Sequence, residues 1–167
     1  MTRLSLTLAA IVSLLSLPAA AEPPAPSQGA GDPFPAGETD ARRRALGVAL
    51  AQLEQDVAKL SDALQVIGVV GAGPELPGKV AAYRRAAHPA RVQSAKLLTA
   101  AKTAKVSPKV VGAIAALSQH AKATAAHASK LDGKISKASL AEAGRLVRIV
   151  VRDKGDVAGL VEPIVFR

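Results

Sequence analysis

Apolar residues recur between residues 46 and 67 at alternating intervals of four and three positions. This spacing keeps them on one stripe of a helix, as in a heptad seam. The seam consists of Leu46, Leu50, Leu53, Val57, Leu60, Leu64 and Ile67. Asp40 is a suitable N-cap before the run, and glycines followed by Pro74 come after it. The pattern predicts a long helix whose seam is buried, either within the chain or against a second copy.

A second stretch of the same spacing begins after Ser107 and Pro108. A serine directly before a first-turn proline is typical of a helix start. The apolar and small residues of this stretch are Val110, Ile114, Leu117, Ala121, Thr124, Ala128 and Leu131. We expect a second long helix over residues 108–131, which could pair with the first seam.

Two prolines stand between these helices. Pro77 and Pro89 are placed as first-turn prolines, which predicts two shorter helices over residues 77–87 and 89–105. His88 precedes a proline and is therefore biased away from helical backbone, so the break is expected there.

The last part of the chain carries another helix signal. Ser139 with Glu142 three positions later has the pattern of a capping box, which predicts a helix through about Val151. The run Leu146 to Val151 is rich enough in β-branched residues that a strand is the alternative. The predicted fold class is all-α, a small bundle of four to five helices.

The first residues have the composition of a targeting segment. An apolar run, Leu4 to Leu17, follows a short basic start and precedes small residues that end at Ala21. This predicts a signal peptide over residues 1–21 and a secreted or periplasmic protein. Prolines and small residues then predict a flexible linker over residues 22–39, and residues 40–167 are the expected helical domain.

Composition narrows the possible functions. The chain has no cysteine, so packing without disulfides must hold the fold. Its aromatic residues are one tyrosine and two phenylalanines. Since base stacking requires aromatic platforms, no specific nucleic-acid readout is expected.

Positive charge is concentrated in the middle of the chain. The formal net charge is +9, and between Lys79 and Lys137 there are 12 Lys or Arg residues against one acid, Asp132. Such a stretch is either a solvated surface or a binding surface for polyanions. The candidate polyanion-binding residues are Arg84, Arg85, Arg91, Lys96, Lys102, Lys105, Lys109, Lys122 and Lys130. On a helix over 89–105, Arg91, Lys102 and Lys105 would gather on one flank.

Motifs for catalysis or cofactor binding are weak. Residues 73–79 match the G-x-x-x-x-G-K part of a phosphate-binding loop, but Val80 replaces the hydroxyl residue that would bind Mg²⁺. His120 and His127 lie two helical turns apart, about 10 Å, which is too far to share one ion. We interpret them as histidines at the edge of the helix seam, and we expect no metal, cofactor or catalytic residue.

These observations favour a non-enzymatic interaction protein that engages an anionic polymer, a lipid surface or an acidic client protein. Its mechanism would be charge attraction, with a homo-oligomer through the seam of Leu46 to Ile67 as a further possibility. The alternative is a helical-bundle carrier of haem, a metal or a small apolar ligand.

Overall fold

The structure is a computed structural model that describes residues 36–70, 73–132 and 135–166. These residues form four helices, and no strand occurs among them. The helices are α1 (Ala36–Val70), α2 (Leu76–Thr103), α3 (Pro108–Lys130) and α4 (Lys137–Val165). The all-α prediction is therefore confirmed. The predicted signal peptide, residues 1–21, and residues 22–35 of the predicted linker lie outside the described residues.

Each helix packs against two others, in a ring of α1 with α2, α2 with α3, α3 with α4, and α4 with α1. Short connections make consecutive helices antiparallel, as in an up-down-up-down bundle. Helices α1 and α3, whose seams could have paired directly, are not neighbours in this ring but stand across the bundle from each other. The buried apolar residues of both seams belong to the same core.

The α1 seam lies inside the bundle. Six of its seven residues are buried, and Leu64 is partly buried against the same core. The seven seam residues of the second stretch, from Val110 to Leu131, are buried as well. The seam is thus covered within one chain, and pairing of this seam between two copies stays a prediction. Alanine and valine supply most of the remaining core, with Tyr83 as its one aromatic side chain among the described residues.

Residues 76–103 form a single helix, so the expected break at Pro89 is wrong. A proline inside a helix lacks the N–H that would bond to the carbonyl four residues earlier, here that of Arg85. Ala87, Ala90 and Leu97 on either side of it are buried. Burial of this face stabilises the continuous helix more than the lost hydrogen bond destabilises it.

Two predicted helix starts are also corrected. Asp40 is not the N-cap of α1, because the helix begins at Ala36 and Asp40 lies within it. Ser136, not Ser139, caps α4: its side chain accepts a 3.0 Å hydrogen bond from the Ser139 backbone N–H. The run from Leu146 to Val151 is helical, which decides against the strand alternative.

The end of α2 is a tight reversal. The backbone N–H of Lys105 donates to Lys102 and that of Val106 donates to Ala101, the two bonds of a Schellman motif. Lys105 has a φ of 51°, the left-handed conformation that this position requires. The sequence-based placement of Lys105 on a helix flank is therefore wrong, since the helix ends at Thr103.

Helices α1 and α4 approach closely at Gly47. A Cβ atom at this position would lie 2.8 Å from Cγ1 of Val165, so the absence of a side chain allows the contact. Val165 is the last residue of α4, whereas α1 begins eleven residues before Gly47. The first turns of α1 therefore extend past the end of α4 by about 16 Å.

None of the four described helices combines the length and the apolar composition that crossing a membrane requires.

Candidate anion-binding site

The nine basic residues singled out in the sequence are all exposed. They do not form one continuous surface. The structure brings four of them together in a groove between α2 and α3: Arg84, Arg85, Arg91 and Lys122.

We call this depression the cationic groove. Its volume is about 870 Å³, and it is lined by Ala81, Arg84, Arg85, His88, Pro89, Arg91, Lys122, Ala125, Ala126 and Ser129. The floor consists of alanines and Pro89, which are too small or too compact to fill the space between the helices. The walls carry the long basic side chains.

Helical spacing explains the α2 side of this groove. Arg84, His88 and Arg91 follow one another at intervals of four and three, so they share one face of α2. The rise of the helix separates Arg84 from Arg91 by about 10 Å. Lys122 comes from the antiparallel neighbour α3, so basic groups line both sides of the groove.

Within the described lining of the cationic groove, no acid neutralises the basic side chains. Within the described part of the chain, the ion pairs of the other basic residues involve acids elsewhere, such as Glu142 with Arg145 and Glu54 with Lys154. The pKa of Glu142 is lowered, mainly because its carboxylate accepts hydrogen bonds from Arg145. Like charges held together without a counter-charge attract an anion more strongly than the same charges dispersed.

Arg91 and Lys96 also line a second depression, between α1 and α2, which we call the apolar groove. It has a volume of about 720 Å³, and its lining is Ala41, Arg42, Ala45, Arg91, Val92, Ala95, Lys96, Thr99, Ala100 and Thr103. Half of these side chains, four alanines and one valine, are small and apolar.

The remaining candidates lie apart from both grooves. Lys102 and Lys105 are at the C-terminal end of α2, and Lys130 is the last residue of α3. Lys109 shares a side of α3 with His120 and His127. Because His120 contacts α4, that side of α3 does not face the cationic groove.

One polar pair was missed by sequence reasoning. His120 Nδ1 on α3 lies 2.5 Å from Asp153 Oδ2 on α4, and Asp153 is buried. The other carboxylate oxygen of Asp153 accepts hydrogen bonds from Arg152. The two partners are 33 residues apart, so only the register of α3 against α4 could have revealed them.

Two other sequence interpretations can be compared with the structure. The phosphate-loop-like segment is a turn into α2, in which the Leu76 N–H donates to the Gly73 carbonyl and Lys79 pairs with Glu75 at 3.9 Å. Among the described residues, no group of three or more His, Cys, Asp or Glu side chains is placed to hold a metal ion.

Comparison of the chain with protein-family models, with curated proteins and with solved structures finds no match in any of the three.

Proposed function

We propose that this protein is an exported, non-enzymatic helical interaction protein that binds anionic ligands through the cationic groove. The observation that carries the proposal is the convergence of Arg84, Arg85, Arg91 and Lys122, from two helices, on one groove without a lining acid. Guanidinium groups suit phosphate, sulfate and carboxylate oxygens because their planar donors bind two oxygens at once.

Export is part of this proposal and rests on the sequence of residues 1–21. A protein outside the cytoplasm meets anionic head groups, acidic polymers and acidic proteins on the envelope or beyond it. The absence of aromatic side chains from the groove lining argues against stacking of bases. Recognition would then depend on charge and on the shape of the groove.

Salt-dependent binding of heparin tests the proposal. We compare the protein with an Arg84→Glu, Lys122→Glu variant, which reverses the charge on both walls of the groove. The matched control is Lys109→Glu, Lys130→Glu, which makes the same change in net charge at exposed positions outside the groove. Circular dichroism establishes that all three proteins remain helical.

We expect affinity for heparin to fall as salt rises, because binding releases counterions. The groove variant should lose at least tenfold in affinity and show a shallower salt dependence, by about 0.7 to 0.9 in logarithmic slope for each lost contact. The control should retain most of the affinity. Equal losses in both variants would show a general effect of net charge and would contradict a groove-specific site.

A further inference from the structure

The cationic groove and the apolar groove lie on opposite flanks of α2 and share one lining residue, Arg91. The other α2 residues of the cationic groove precede Arg91 in sequence, and those of the apolar groove follow it. Together they follow the outward face of α2 from Ala81 to Thr103, a length of about 33 Å at the rise of a helix. An elongated ligand that passes Arg91 would therefore reach both grooves.

The two halves differ in chemistry. The threonine hydroxyls of the apolar groove need no polar ligand, because Thr99 donates to the Ala95 carbonyl at 3.1 Å and Thr103 donates to the Thr99 carbonyl at 3.0 Å. The other lining residues there are four alanines, one valine and three basic residues. A polymer of anionic groups alone would leave this half uncovered.

We infer that the two grooves together bind one anionic lipid, with a phosphate-bearing head group between α2 and α3, Arg91 at the junction and one acyl chain between α1 and α2. This inference rests on the proposed function, since it assigns the anion of the cationic groove to a lipid. From Arg91 to Thr103 the helix rises about 18 Å, close to the roughly 15 Å hydrocarbon thickness of one bilayer leaflet. The apolar groove is thus long enough for most of one acyl chain.

The charges support a lipid of this polarity. Arg91 lines both grooves, and Lys96 lies five residues after it on α2 in the lining of the apolar groove. An anionic group at this junction is therefore near basic side chains of α2 and, in the cationic groove, Lys122 of α3. A neutral amphiphile would use the apolar half alone.

Alkyl phosphates of increasing chain length test the inference directly. Calorimetry of the purified protein with butyl, octyl and dodecyl phosphate, each below its micelle-forming concentration, measures how the chain contributes. Full burial of one CH₂ corresponds to about a fourfold gain in affinity. The groove is open on one side, so we expect dodecyl phosphate to bind on the order of a hundredfold more tightly than butyl phosphate.

An Ala45→Gln, Ala95→Gln variant places two uncharged polar side chains in the apolar groove without changing net charge. It should reduce the ratio of dodecyl to butyl phosphate affinity to below about tenfold, which is less than three buried methylenes provide. Ala123→Gln, Ala141→Gln is the matched control, since these alanines are exposed and line neither groove. The control should keep the full ratio.

Inorganic polyphosphate, which has no chain, separates the two proposals. Binding of polyphosphate that requires Arg84 and Lys122, together with alkyl phosphate affinities independent of chain length, would overturn the lipid inference and leave the proposed function in place. If polyphosphate bound equally well to the protein and to its Arg84→Glu, Lys122→Glu variant, both the lipid inference and the proposed function would be overturned. Dodecyl maltoside bound as tightly as dodecyl phosphate would show that the head group is not recognised, which also overturns the inference.

Discussion

The imidazole of His120 on α3 is held by the buried carboxylate of Asp153 on α4, with Nδ1 and Oδ2 separated by 2.5 Å. The carboxylate oxygen accepts, so the imidazole donates through its Nδ1–H. Asp153 is one of the few polar side chains buried among the described residues. It therefore joins two adjacent helices through a polar contact.

Replacing Asp153 by alanine should destabilise the protein. The change removes the hydrogen bonds that the buried carboxylate accepts from His120 and Arg152. Because both donors are partly exposed and can bond to water, the expected cost is about 0.5 to 1.5 kcal/mol. Urea denaturation measures it. Asp156→Ala is the control, because Asp156 is exposed on the same helix. Equal stability of the two variants would show that the pair contributes little.

Burial of Tyr83 makes the free energy of unfolding depend on pH in the alkaline range. Its side chain is fully buried, and burial raises the pKa of its phenol from 10.0 to about 12. Below pH 10 the phenol is neutral in both the folded and the unfolded chain. As pH rises from 10 to 12 the unfolded chain loses the proton first, so stability falls by about 2 to 3 kcal/mol in total.

Tyr83→Phe should remove that pH dependence, as measured by urea denaturation between pH 8 and pH 12. The Tyr83 hydroxyl has no hydrogen-bond partner among the described residues. Its removal should therefore also raise stability near pH 7, by about 1 kcal/mol. A variant that declines between pH 10 and pH 12 as steeply as the original protein would contradict this account.

Leu53 tests the burial of the α1 seam. It is 0% exposed, so Leu53→Ala should cost about 2 to 5 kcal/mol of unfolding free energy through lost burial and the cavity that remains. Val48 on the same helix is 71% exposed, and Val48→Ala should change stability by less than about 0.5 kcal/mol. Chemical denaturation of both variants decides whether this seam is the interior of the bundle.

Gly47 and Gly112 are helical glycines in opposite surroundings. No atom lies within 4 Å of a Cβ placed at Gly112, so Gly112→Ala should raise stability by about 0.5 to 1 kcal/mol through helix propensity. Gly47→Ala should not, because its Cβ would lie 2.8 Å from Val165 Cγ1. The double variant Gly47→Ala, Val165→Ala should regain the stabilisation that alanine gives in a helix, as measured by thermal unfolding. Equal stabilisation by the two single changes would show that α4 moves aside at little cost.

Helices with a regular apolar stripe were predictable from the sequence. The spacing from Leu46 to Ile67 and from Val110 to Leu131 predicts α1 and α3, because one helix face must be buried whatever covers it. The prediction for α2 was wrong at Pro89. Local backbone preference favours a break there, but buried residues on both sides of the proline stabilise one helix. Ser136 and Ser139 both suit a cap, and the spacing to Glu142 favoured the wrong one.

The candidate site was predictable only as a set of charges. The sequence indicates that Arg84, Arg85, Arg91 and Lys122 are basic and exposed, but not that they line one groove. That grouping depends on the register of α3 against α2. The same limit applies to His120 and Asp153, since the neighbour of each helix is fixed by packing and not by local pattern.

The overhang of α1 beyond the end of α4 gives the helix an uneven local stability. Residues 41–45 precede Leu46, the first buried apolar residue of α1 among those described, and are exposed or only partly buried. Short-lived opening of this end costs less free energy than opening of the core, so its amides should exchange hydrogen faster. Ala41, Arg42 and Ala45 nevertheless form the α1 wall of the apolar groove. A ligand bound there would slow their exchange, and part of its binding energy would be used to order the helix end.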